Sequence, residues 1–166
     1  MTHQHSPILE TRQILWPDEA ACAASAAALA RRHARAALRD ATLELDGPLG
    51  AGKTTFVRHL LRALGVRGTI KSPTYGLMEP YEAEGPGGRF AASHFDFYRF
   101  DDPQEWEDAG FREIFASPGL KLVEWPEKAH GLLPAPDLRI FIEPRADESR
   151  DVRFEALGGT GTELLP

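Results

Sequence analysis

Residues Gly47-Pro48-Leu49-Gly50-Ala51-Gly52-Lys53-Thr54-Thr55 carry glycine, four residues, glycine, lysine and a hydroxyl residue at the spacing of a Walker A loop. The chemistry of that spacing is anion capture. Glycines at 47, 50 and 52 let the backbone turn its N–H groups toward phosphate oxygens, and a helix starting near Lys53 directs its positive end at the same place. Lys53 would reach the outer phosphates, and the Thr54 hydroxyl would ligate Mg²⁺. An ordinary glycine turn between a strand and a helix is the competing account, and the flanking sequence disfavours it. Ala41 to Asp46 reads as a short strand, and Phe56 to Leu64 as an amphipathic helix, which is the context such a loop requires.

Two carboxylates are placed to complete the site. In His94-Phe95-Asp96-Phe97-Tyr98-Arg99, alternation puts Phe95 and Phe97 on one side of a strand and His94, Asp96 and Tyr98 on the other. Asp96 then stands where a Walker B aspartate holds Mg²⁺, directly or through water. Phe97 follows it, so the glutamate that often accompanies that aspartate is missing. Glu124, the last residue of the apolar run Leu120 to Glu124, is the candidate to orient the attacking water or to bind metal-bound water. The candidate catalytic residues are therefore Lys53, Asp96 and Glu124, and the metal ligands Thr54, Asp96 and Glu124. Thr74, after Pro73, sits where a loop could sense the γ-phosphate, although a plain turn reads equally well. Trp125 lines the nucleotide or partner-facing cleft, or is an ordinary buried indole. Arg99 could meet phosphate or a partner carboxylate.

The elements that position these groups follow from periodicity. Arg12 to Trp16 suits an edge strand, and Asp18 an N-cap to an Ala-rich helix running to about Leu38. Val57, Leu60, Leu61 and Leu64 fall on one helical face, and Gly65 supplies the stop. Leu77 to Tyr81 and the segment from Phe90 form two strands joined through Glu84-Gly85-Pro86-Gly87-Gly88, the most mobile tip expected. Asp102-Pro103-Gln104-Glu105 opens short helices that run to Phe115 with a break at Gly110. Leu138 to Glu143 and Val152 to Ala156 alternate as an antiparallel pair, and residues 158–166 read as a frayed tail like residues 1–7. The order predicts one α/β domain over 1–166: a P-loop NTPase fold in three layers, with a mixed, largely parallel sheet between helices.

Bulk properties bound the function. A net charge of −6, from 25 acidic and 19 basic residues, disfavours autonomous nucleic-acid binding. Cys22 is the lone cysteine, so no internal disulfide forms. The apolar stretch Ala20 to Ala30 is too short to span a membrane and is followed by Arg31-Arg32, which points to a cytoplasmic protein. The chain contains no asparagine, so the Asn-Lys-x-Asp element that reads guanine in GTPases is ruled out and ATP is favoured.

With these pieces placed, the chain resembles the bacterial TsaE family, ATPases of tRNA threonylcarbamoyladenosine modification. The resemblance rests on Gly47 to Thr55, Ser72-Pro73-Thr74-Tyr75, His94 to Arg99 and Glu124-Trp125-Pro126-Glu127, in the family's order across about residues 10 to 145. It implies ATP and Mg²⁺ as ligands and action with TsaB and TsaD, where TsaD transfers the threonylcarbamoyl group and ATP hydrolysis resets the complex. Transfer RNA would be met indirectly, through those partners. Two other functions share the loop. A small-molecule kinase usually needs a basic lid, and no Arg-rich segment lies between Leu64 and Asp102; a nucleotide-dependent partner-binding switch is only partly separable from a slow, gating ATPase.

Overall fold

Alternation along each strand settles which side chains meet which helices in the computed structural model, which describes residues 7–31, 36–73, 77–85 and 88–166. The strands are β1 (Glu10–Trp16), β2 (Thr42–Asp46), β3 (Met78–Gly85), β4 (Gly88–Asp96), β5 (Leu120–Glu124), β6 (Leu138–Pro144) and β7 (Arg150–Ala156). They form one sheet in the order β1-β7-β6-β2-β5-β4-β3. The centre, β6-β2-β5-β4, is parallel, while β3, β7 and β1 pair antiparallel at the flanks. The expected edge strand and the expected antiparallel pair near the C-terminus are both present.

One face of the sheet carries α1 (Glu19–Leu29) and α2 (Lys53–Leu64). Leu43, Leu45, Leu120, Leu122 and Ile140 from the sheet bury against Phe56, Val57, Leu60 and Leu61 of α2. Gly65 and Val66 end α2 by donating to Arg62 and Leu61, a Schellman arrangement. The opposite face, at the β4 and β5 end, carries α3 (Pro103–Asp108) and α4 (Phe111–Ala116), with Gly110 between them. Asp102 caps α3 through the Gln104 N–H. There Phe95, Phe97 and Val123 pack with Trp106 and Phe111; the Phe95 and Phe111 rings meet edge-on at 5.3 Å.

Two expectations need correction. The first helix does not run to Leu38: Ala30 and Arg31 donate to carbonyls three residues back, at Ala27 and Ala28, which closes α1 at Leu29. Beyond it, Arg39 donates to the Arg89 carbonyl at 2.7 Å and lies over the Phe90 ring. The tail is not frayed either. Gly159–Glu163 forms α5, Leu164 is buried, and the Leu157 N–H bonds the Asp137 carbonyl at 3.0 Å. Of the expected mobile tip, Glu84 to Gly88, residues 86–87 lie outside the described residues, as do residues 1–6 of the expected leader 1–7.

Alpha5 docks because Gly161 has no side chain: a β-carbon there would stand 1.9 Å from the Asp137 carbonyl oxygen. In an open helix Gly→Ala stabilises by up to about 1 kcal/mol. Here Gly161→Ala is expected to destabilise by about 1–3 kcal/mol, because the backbone must move apart. A melting temperature at or above wild type would show that α5 is not docked as described.

Candidate nucleotide site

The site stands where the carboxyl ends of the parallel strands meet the start of α2. Glu124 closes β5 and Asp96 closes β4, and the two are direct partners in the parallel register. Both point to the α2 face, since Phe95 and Val123, one residue earlier, bury on the other face. The Phe97 N–H donates to the Glu124 carbonyl at 3.1 Å, extending the pairing one step past the strand ends.

Thr54 Oγ1 lies 2.9 Å from Glu124 Oε1 and 3.0 Å from Oε2, so the hydroxyl donates to the carboxylate. His94 Nε2 approaches Glu124 Oε2 at 2.5 Å, and both side chains are almost fully buried. His94 Nδ1 is buried with no hydrogen-bond partner. If Nε2 carries the proton and donates to Glu124, the orphan is a lone pair and not an N–H group. That tautomer leaves His94 as a fixed support for the carboxylate.

Lys53 is 5% exposed; its ammonium donates to the Gly47 carbonyl and sits 3.5 Å from the centre of the Trp125 ring. Burial lowers the Lys53 pKa, opposed by the charges of Glu124, Glu127, Asp96 and Asp46. Burial raises that of Asp96, opposed in part by the Tyr98 N–H bond to its Oδ1. Asp46, just before the loop, is pushed up to about 6 by burial and by the neighbouring Glu44 and Glu127.

Trp125 takes the left-handed conformation, φ 56° and ψ 49°, which costs a non-glycine residue about 1–2 kcal/mol. That turn swings the indole back from the end of β5 onto Lys53, with the Tyr98 ring 4.9 Å away.

Together these groups border a cleft of about 300 Å³ lined by Leu49 to Thr55, Asp96, Tyr98, Glu124, Trp125 and Arg150. Of the residues named from sequence, Leu49, Gly50, Ala51, Gly52, Lys53, Thr54, Thr55, Asp96, Glu124 and Trp125 meet here, and Gly47 holds Lys53 from behind. Thr74 lies outside the described residues. Arg99 is exposed and is not among the residues bordering the cleft.

Sequence reasoning missed three participants. His94 had a usable signal, because alternation already placed it on the face of Asp96; its contact with Glu124 depends on β4 and β5 being neighbours. Tyr98 had the same signal. Arg150 had none, since it reaches the loop only through the antiparallel return of β7.

Among the described residues no three His, Cys, Asp or Glu side chains gather as a metal cage. One hydroxyl and two carboxylates, with the remaining positions left to water and phosphate, is the donor set Mg²⁺ accepts. Thr54, Asp96 and Glu124 fit that chemistry.

Comparisons with known proteins identify the family. Residues 17–152 match the family described as "Threonylcarbamoyl adenosine biosynthesis protein TsaE". The tRNA threonylcarbamoyladenosine biosynthesis protein TsaE of Haemophilus influenzae is 40% identical over 121 residues, covering 73% of each chain. Its namesake in Bacillus subtilis is 38% identical over 116 residues, covering 70% of each. The crystal structure of YdiB from Bacillus subtilis aligns with a TM-score of 0.74 at 27% identity, over 96% of this chain and 94% of that one. The α/β P-loop architecture expected from sequence is therefore the fold observed. Matched over most of its length and alike in fold, this chain belongs to the TsaE family of tRNA threonylcarbamoyladenosine biosynthesis proteins.

Proposed function

We propose that this protein binds ATP with Mg²⁺ and hydrolyses it, acting with TsaB and TsaD in threonylcarbamoyladenosine modification of the tRNA adenosine beside the anticodon. The observation that carries the reading is the convergence, in one cleft, of Lys53, the Thr54 hydroxyl on Glu124, and Asp96 in register beside it. In this reading the loop N–H groups and Lys53 hold the phosphates, and Trp125, displaced from Lys53, lines the pocket beside the nucleotide. Thr54 and Asp96 would hold Mg²⁺, which would supply charge neutralisation at the outer phosphates. Glu124, steadied by His94, orients the attacking water or holds a metal-bound water.

The net charge of −6 supports leaving tRNA contacts to the partners. No described helix is long and apolar enough to cross a membrane, and the cytoplasm is the compartment proposed. The test is ATP turnover by the protein alone and after addition of purified TsaB and TsaD. Stimulation in the mixture is the expected result. Absence of turnover in every combination would refute the ATPase assignment.

A further inference from the structure

The loop is held from two sides, and the two sets of contacts differ in what a nucleotide would do to them. On the inner side Glu124 and Trp125 engage Thr54 and Lys53, the groups that phosphate and metal would claim. On the outer side the contacts come from the β6–β7 hairpin. Gly47 presses on β6, where a β-carbon would stand 2.4 Å from the Ile142 carbonyl oxygen. From the first residue of β7, Arg150 Nε donates to the Ala51 carbonyl at 2.8 Å, while Nη1 donates to the Glu148 carbonyl in the hairpin turn. The guanidinium runs past Gly52, with Nε 3.6 Å from where a β-carbon there would be.

The hairpin turn is itself fixed. Arg145 N–H bonds Ser149 O at 2.8 Å, Glu148 N–H bonds Arg145 O at 3.1 Å, and the Ser149 N–H and hydroxyl both donate to Asp147. Ala51 is fully buried, so its carbonyl has little access to water, and Arg150 supplies the donor it needs. A planar fork that bonds two carbonyls at once is a property of arginine that lysine lacks.

We propose that Arg150 is a positioning residue for nucleotide binding: its guanidinium ties the phosphate loop to the β6–β7 turn and holds the loop N–H groups ready for phosphate. This rests on the nucleotide reading above. The braced segment grips phosphates common to ATP and ADP, so the loss on breaking the brace falls on both nucleotides alike.

The experiment is calorimetric titration of Mg·ATP and Mg·ADP into the full-length wild type, Arg150→Lys and Arg150→Ala, with a thermal melt of each. Both variants are expected to bind about tenfold more weakly, with an unchanged ATP to ADP ratio and Arg150→Lys melting close to wild type. Millimolar guanidinium ion should restore part of the affinity of Arg150→Ala, which a general loss of structure would not allow. Wild-type affinity in Arg150→Lys would reduce Arg150 to a charge and overturn the brace. A loss confined to ATP would assign it to the outer phosphate and do the same, as would a Lys variant melting far below wild type. If Arg150→Ala does not fold, the Lys variant decides alone. A wild type that binds neither nucleotide sinks the functional reading together with this one, whereas intact binding by Arg150→Lys sinks only the brace.

Discussion

Lys53→Ala is expected to weaken ATP binding by at least about a hundredfold, more than the loss of one ordinary surface contact. The ammonium is nearly buried, and the charges of Glu124, Glu127, Asp96 and Asp46 all act on it. Removing it takes away the cation that meets the outer phosphates. It also leaves those carboxylates uncompensated beside an incoming polyanion, so attraction is replaced by repulsion. Asp46, whose pKa burial and then the nearby Glu44 and Glu127 push up to about 6, would also lose the opposing charge of Lys53. Calorimetry decides the point: ATP binding by Lys53→Ala with wild-type affinity would remove the lysine from the phosphate site.

The second large effect separates binding from chemistry. Asp96→Ala and Glu124→Gln are each expected to slow hydrolysis by about a hundredfold or more while changing ATP affinity less than about tenfold. Glu124→Gln is the sharper variant of the two. Its amide oxygen still accepts from Thr54, whose hydroxyl now bonds both carboxylate oxygens, but the negative charge that would orient water or polarise a metal-bound water is gone. Asp96 lies beside it in register, partly exposed to the cleft, so its loss removes a metal ligand without opening the core. Single-turnover measurement with enzyme in excess tests both variants. Turnover equal to wild type would refute the assignment of these carboxylates to the reaction.

Much of this arrangement was legible because it is local. The loop, the start of α2 and the cap at Asp102 are each written within a few consecutive residues, where backbone freedom and capping act. The facing of Asp96 and Glu124 also follows from period-two alternation within their own strands. What was not legible depends on neighbours distant in sequence. The β4–β5 pairing brings His94 to Glu124 across 30 positions, and the return of β7 brings Arg150 to Ala51 across 99. The tail was misread for a similar reason, since Gly-Gly-Thr-Gly looks like a loop until the Asp137 carbonyl is seen resting against Gly161. The end of α1 was misread because alanine propensity alone continues the helix past Leu29.

Side-by-side strand pairing, which fixes Asp96 against Glu124 and extends to Phe97, has a consequence for how this protein tolerates change. The spacing of the two acids is set by backbone bonding in the middle of the sheet, as though ruled on graph paper, and owes nothing to the length of any connecting segment. The segment between Gly131 and Pro136 packs Leu132 and Leu133 against the cluster of Phe95 and Phe97, but its length does not enter that spacing. A slip of β4 by one residue would instead turn Phe97 toward the phosphates and bury Asp96 among aromatic rings, extinguishing the site at a single stroke.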